Sequence, residues 1–210
     1  MSIVGKTALV TGAAKRIGRI IALTLAREGV NIVLTYRASQ EAAAKTEKEL
    51  RKGGVEAMKV QVDLGDITSC DELVAKATAK FGKVDILVNN ASSFEQTNLE
   101  EWSQDADKFR RKFNYLAGLH VGSPLYLGMR LGLQMKKNGW GRIVNITDRV
   151  TVKGQAYRHW SLYLATKYGL YGVTQALAAE LSPEVTVNSV APGLTLLPDQ
   201  FSEEQSEVMR

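Results

Sequence analysis

Apolar and polar positions alternate between two periods from one end of the chain to the other. Short apolar runs of strand length fall near residues 7–11, 31–35, 57–62, 84–88, 142–147 and 185–190. Between them lie segments whose apolar residues recur three and four apart, as on one face of a helix. Helices are predicted over 17–28, ending before Gly29, over 39–52, ending at Gly53-Gly54, over 69–81, and over 160–181. Ser69 and Glu72 read as a capping box opening the third, and Gly82 as its stop. The stretch from Leu99 to Lys137 is expected to hold two helical pieces with a break near Gly118 to Pro124. Strand and helix in strict alternation is the pattern of a parallel sheet covered on both faces by crossover helices. A Rossmann-type doubly wound α/β fold of six strands is therefore expected, as a single domain over 1–210.

Composition narrows this little. At 210 residues and 45% hydrophobic content the chain can bury one sizeable core. The single cysteine, Cys70, excludes an internal disulfide and points to a reducing compartment, with a free structural thiol as its default role. The N-terminus lacks a signal-peptide layout and no apolar stretch approaches a membrane span, so a cytoplasmic protein is expected. The formal charge of +5 is scattered. Its short runs, Arg110-Arg111-Lys112 and Lys136-Lys137, sit in helical segments mixed with acids and read as solvated faces, so neither nucleic acid nor membrane is an expected partner. No metal site is expected.

The chemistry clusters at the strand ends. Thr11-Gly12-Ala13-Ala14-Lys15-Arg16-Ile17-Gly18 turns the first strand into the first helix, where glycines permit close backbone approach and the helix N-terminus offers free N–H groups to a pyrophosphate. A glycine turn alone does not decide the matter, because many such turns need glycine only for positive φ. After the second strand, where a dinucleotide site selective for NAD shows an acid, the chain reads Thr35-Tyr36-Arg37-Ala38-Ser39. Arg37 and the Ser39 hydroxyl can hold a ribose 2′-phosphate, or Arg37 can be a solvent-facing loop residue. Asp63, before Leu64, can accept from an adenine amine or cap the turn that follows. Asn90, in Asn89-Asn90-Ala91-Ser92-Ser93, lies at the ligand-binding edge or ties neighbouring strands together. Tyr163 and Lys167 share a helix face at spacing i, i+4, where the ammonium is expected to lower the phenol pKa and make it a proton donor near neutrality. Tyr157, Tyr168 and Tyr171 have no lysine four residues on.

Taken together these residues resemble the short-chain dehydrogenase/reductase family over essentially the whole chain. The resemblance rests on the glycine turn, Asp63, Asn89-Asn90-Ala91, Asn114 within Phe113 to Gly118, the Tyr163/Lys167 pair, and Pro192-Gly193. Within the family the chain is most similar to pteridine reductases, through Arg16 in place of the middle glycine, Tyr36 to Ser39, Asn90 to Phe94, Asp148, and Pro192-Gly193-Leu194-Thr195. The resemblance implies an NADPH-dependent reduction of a pteridine, with Tyr163 giving the proton, Lys167 holding the ribose, Asp148 orienting the network and Asn114 supporting a water relay. Cofactor contacts are implied for Gly12, Arg16, Ile17, Gly18, Tyr36, Arg37, Ser39, Asp63, Leu64, Asn90, Ala91, Ser92, Tyr163, Lys167, Pro192, Gly193 and Thr195. Substrate contacts are implied for Arg16, Ser92, Phe94, Asp148 and Tyr163, with Phe94 stacking on the substrate ring or packing in the core. A ketone reductase acting on a 3-oxoacyl thioester or a sugar, and a cofactor-binding protein without turnover, are the alternatives.

The chain departs from the family in three places. Asp148 stands where most members carry a catalytic serine. It precedes Tyr163 by fifteen residues, a longer loop than usual. The family's closing helix and edge strand are absent, and a capping box, Ser202 to Gln205, opens a helix with few residues to follow, so truncation at the C-terminus is expected. A homodimer or homotetramer is implied through the helices of 100–137 and 160–181.

Overall fold

In a computed structural model, residues 2–154, 156–193 and 195 are described. The expected elements are present. The strands are β1 (Thr7–Val10), β2 (Asn31–Tyr36), β3 (Ala57–Gln61), β4 (Ile86–Asn89), β5 (Gly141–Ile146) and β6 (Val185–Val190). They form one parallel sheet in the order β3-β2-β1-β4-β5-β6. The order reverses between β1 and β4, which opens a crevice beyond their carboxyl ends, the place where open α/β sheets bind ligands.

Both faces of the sheet are buried, and alternation along each strand decides which side chain goes where. Ala8, Val10, Ile32, Leu34, Ile86 and Val88 face one layer, where they pack with Ala22 and Ala26 of α1 (Arg16–Arg27) and Ala43 and Leu50 of α2 (Gln40–Lys52). Leu9, Val33, Leu87 and Ile143 face the other, against α3 (Ser69–Phe81), α6 (Ser123–Lys137) and α8 (Ser161–Leu181). Cys70 lies in this second layer, its thiol 3.3 Å from the Ser123 hydroxyl and pushed up in pKa by burial.

Two local expectations are corrected. Ser69 does not cap α3: its hydroxyl donates to the carbonyls of Asp63 and Asp66, at 2.8 and 2.7 Å, while Glu72 pairs with Lys76 at 2.7 Å. The carbonyls of this preceding turn also accept the N–H groups of Asp66 and Ser69, so the hydroxyl reinforces that turn, and Thr68 ends as the uncapped N-terminal residue. Nor does the helix break between Gly118 and Pro124. After α4 (Leu99–Ser103) and α5 (Ala106–Ala117), the turn Gly118–Gly122 is π-helical and runs straight into α6. Pro124 lies in the first turn of α6, directly after the π-helical turn. A further short helix, α7 (Val150–Lys153), takes up part of the long loop before α8. The capping box at Ser202 to Gln205 lies outside the described residues.

Candidate active site

The glycine turn is built for close approach. Gly12 has φ +64°, and a Cβ on it would come 2.9 Å from Ala91 Cα. A Cβ on Gly18 would lie 2.4 Å from Asn90 Nδ2 and 2.5 Å from the Gly12 carbonyl. Arg16, where the family places another glycine, is itself at φ +54°, a left-handed conformation that costs a residue with a Cβ about 1–2 kcal/mol. The turn is braced from β4: Asn90 Nδ2 donates to the carbonyls of Thr11 and Gly12 at 2.8 and 3.2 Å, and Thr11 Oγ1 accepts from the N–H groups of Asn90 and Ala91, each at 2.9 Å. Asn90 therefore ties the strands together, the structural reading of its amide. Thr35 completes the brace, its hydroxyl accepting from Gly12 N–H at 3.0 Å. α1 then starts with no side-chain cap and no acid in its first turn. Its first N–H groups and positive dipole end are thus left for an anion, so these residues fit a pyrophosphate.

The turn is one wall of a cleft of about 590 Å³. With one exception, every residue expected at the cofactor or in the chemistry lines it, from Gly12 through Asp148 to Thr195. The exception is Asn114. It is exposed on α5 and lies off the cleft. The π-helical turn that follows α5 carries His120 on its buried side, so the buried polar side chain of this stretch is His120 and not Asn114.

Asp63 Oδ1 accepts from Gly65 N–H at 2.9 Å, capping the turn while the residue still lines the cleft. Arg37 emerges from β2 into the cleft and hydrogen-bonds the Tyr115 hydroxyl, with its guanidinium 5.4 Å from that ring's centre. Phe94 lies parallel to Trp160 at 4.9 Å and edge-on to Tyr163 at 4.8 Å. It is packed on its aromatic neighbours and still 38% exposed along the cleft.

At the floor of the cleft Tyr163 Oη donates to Asp148 Oδ2 at 2.9 Å. The long loop keeps this contact closed because α7 folds it back, so that Tyr157 also reaches Asp148, its hydroxyl 3.3 Å from Oδ1. Arg149 Nε donates to the Tyr157 oxygen at 2.6 Å, and the Val150 N–H to Asp148 Oδ1 at 3.1 Å. Lys167 is 2% exposed, donates to the Ile146 carbonyl at 2.9 Å and lies 5.7 Å from the centre of the Tyr163 ring. Burial pulls its pKa down to about 8, against the opposing charge of Asp148. The expected lowering of the phenol is absent. Burial, then the charge and hydrogen bond of Asp148, push Tyr163 well above the ordinary phenol range. The ammonium shares the helix face as the spacing required, but one of its three protons goes to a backbone carbonyl, while the carboxylate touches the hydroxyl directly.

His120, Tyr157 and Tyr115 were not singled out by sequence reasoning as site residues. A lone histidine in an apolar helical stretch was the available signal for the first. Tyr115 was hidden beside Asn114, and nothing local ties Tyr157 to Asp148.

Such a cleft, with a braced glycine turn at one end and a tyrosine, lysine and carboxylate at the other, defines a dinucleotide-binding α/β oxidoreductase. The chain belongs to the short-chain dehydrogenase/reductase family: the short chain dehydrogenase family matches residues 6–207. It is 33% identical over 213 residues to the 3-oxoacyl-[acyl-carrier-protein] reductase FabG of Staphylococcus aureus (strain Mu50), covering 97% of this chain and 81% of that protein. It is 36% identical over 189 residues to nodulation protein G of Azospirillum brasilense, covering 90% and 74% of the two chains. Among solved structures it resembles a Sinorhizobium meliloti protein assigned to the short-chain alcohol dehydrogenases, with TM-score 0.86 and 29% identity over 99% of this chain and 79% of that one. Among the described residues no helix is long and apolar enough to cross a membrane.

Proposed function

We propose that this protein is an NADPH-dependent reductase acting on a pteridine or a similar flat nitrogen heterocycle. The observation that carries the reading is the Asp148 carboxylate, 2.9 Å from the hydroxyl of the proton-donating tyrosine. A ketone oxygen taking hydride at its carbon develops negative charge, and at about 4 Å a carboxylate opposes that by roughly 4 kcal/mol at an effective dielectric of about 20. A ring C=N group gains a proton and carries N–H donors, which the same carboxylate favours.

When bound, the nicotinamide supplies hydride. The α1 N-terminus and the glycine turn would hold its pyrophosphate, Arg37 and Ser39 its 2′-phosphate, and Lys167 its ribose. Asp148 orients Tyr163, and Tyr163 Oη gives the proton to the ring nitrogen directly or through a water. The phenolate left behind lies beside the Lys167 ammonium on the same helix face. Phe94, covered on one face by Trp160, offers its remaining surface to the substrate ring.

Reduction of a 3-oxoacyl thioester is the second reading, favoured by the likeness to FabG. An assay of NADPH oxidation with dihydropterins, a 3-oxoacyl thioester and simple ketones decides between them. Turnover of the thioester alone refutes the main reading, and NADPH binding without turnover of any of these leaves a cofactor-binding protein. Assembly into a homodimer or homotetramer belongs to the same reading, supported by the exposed Phe109, Phe113, Met129 and Leu133 on α5 and α6.

A further inference from the structure

His120 is one of two histidines in the chain and is 1% exposed. The π-helical turn aims it inward, its ring edge-on to Tyr163 with centres 5.6 Å apart. Its Nδ1 lies 2.8 Å from Thr166 Oγ1, and its Nε2 lies 3.0 Å from Ser92 Oγ and 3.3 Å from the Ser93 backbone nitrogen.

A backbone N–H only donates, so Nε2 is an acceptor. Burial and the nearby Lys167 charge keep the imidazole neutral, which puts its proton on Nδ1, directed at Thr166. Thr166 passes its own hydroxyl proton to the Tyr163 carbonyl at 2.8 Å. The remaining bond, Ser92 to Nε2, must therefore use the Ser92 proton. Tyr163, whose own proton goes to Asp148, is a second acceptor within reach of Ser92, but an unprotonated Nε2 at 3.0 Å would face bare lone pairs if Ser92 donated elsewhere. What Ser92 turns toward the cleft is lone pairs. Because the chain of bonds ends on a backbone carbonyl, it delivers no proton, and its effect is one of orientation.

We propose that His120 is a positioning residue that sets the polarity of Ser92: by taking the Ser92 hydroxyl proton it makes Ser92 an acceptor toward the cleft, which selects a substrate bearing an N–H or O–H donor beside the group that Tyr163 protonates. The substrate half of this inference rests on the reductase reading above.

The test compares wild type with His120→Leu, which keeps bulk and removes the acceptor, and with His120→Gln, whose amide oxygen can take the Ser92 proton. For a dihydropterin, KM in His120→Leu should rise about tenfold, the worth of one hydrogen bond, while KM for a 3-oxoacyl thioester does not rise. His120→Gln should recover most of the loss, Ser92→Ala should reproduce it, and the Ser92→Ala/His120→Leu double variant should be no worse than either. NADPH affinity, measured by fluorescence, should hold in His120→Leu and His120→Gln. Equal losses on both substrates, or a full further loss from His120→Leu in the Ser92→Ala background, overturns the proposal. A wild type that reduces neither substrate sinks the functional reading instead. The histidine assignment is then decided by ¹⁵N NMR of the folded chain: an unprotonated Nε2 whose shift changes in Ser92→Ala upholds it, and a proton on Nε2 refutes it.

Discussion

The hydroxyl of Tyr163 is held by the carboxylate of Asp148 at 2.9 Å, while Lys167, four residues along the same helix, donates to the Ile146 carbonyl. The phenol is thereby tied to a negative charge before any cofactor or substrate enters. Asp148→Asn removes that charge and leaves an amide of the same shape. Its Tyr163 should titrate at lower pH than in wild type, followed by the rise of phenolate absorbance with pH. An unchanged titration would mean that burial alone holds the phenol up.

Tyr163→Phe keeps the packing against Phe94 and His120 and removes only the proton. NADPH binding should survive and kcat should fall by about 10²-fold or more, measured by cofactor oxidation. Undiminished turnover would remove Tyr163 from the chemistry.

Arg37 faces the cleft after a strand that ends without an acid. In Arg37→Ala, NADPH affinity should drop roughly 10–100-fold, the range of a charge-assisted hydrogen bond, with NADH affinity unaffected. Titration of both cofactors against both proteins checks this. Equal wild-type affinities would contradict the preference for NADPH.

Lys167 carries a pH signature. Its pKa falls from an ordinary 10.5 to about 8 on folding, so between these values the unfolded chain binds the extra proton. Stability contributed at this site is therefore lowest below pH 8 and recovers as pH rises through it, by on the order of 3 kcal/mol in full. Tyr163 opposes the trend only above about pH 10, where an unfolded tyrosine ionises. Urea unfolding from about pH 7 to 10 should show wild-type stability rising relative to Lys167→Met, whose curve lacks this contribution. Parallel curves would show that Lys167 is not desolvated as its burial implies.

Arg16 occupies a left-handed position that glycine adopts freely. Arg16→Gly should raise unfolding free energy by about 0.5–1 kcal/mol, the strain relieved less the added entropy of the unfolded chain. The same change should weaken NADPH binding, if the guanidinium meets the cofactor. A loss of stability in calorimetry would show that the side chain's contacts outweigh the backbone strain.

Much of this protein is settled by neighbouring residues among themselves. Six strands and the principal helices were legible because apolar periodicity is a local signal, and because Gly29, Gly53 and Gly82 stop helices wherever they stand. The glycine turn and the Tyr163/Lys167 face were legible for the same reason, since strand-to-helix turns and i, i+4 spacing carry their geometry with them. Tertiary structure decided everything that depends on which distant group arrives first. The Ser69 hydroxyl went to the carbonyls of the preceding turn instead of capping α3. A π-helical turn puts His120 on the buried face while Asn114, on α5 before it, is exposed, a placement that no local pattern records. The acidity of Tyr163 was set by burial and then by Asp148, fifteen residues away, and not by the lysine one turn along. A buried phenol answers to the charge that touches its oxygen, and only the fold of the intervening loop brings that charge to it.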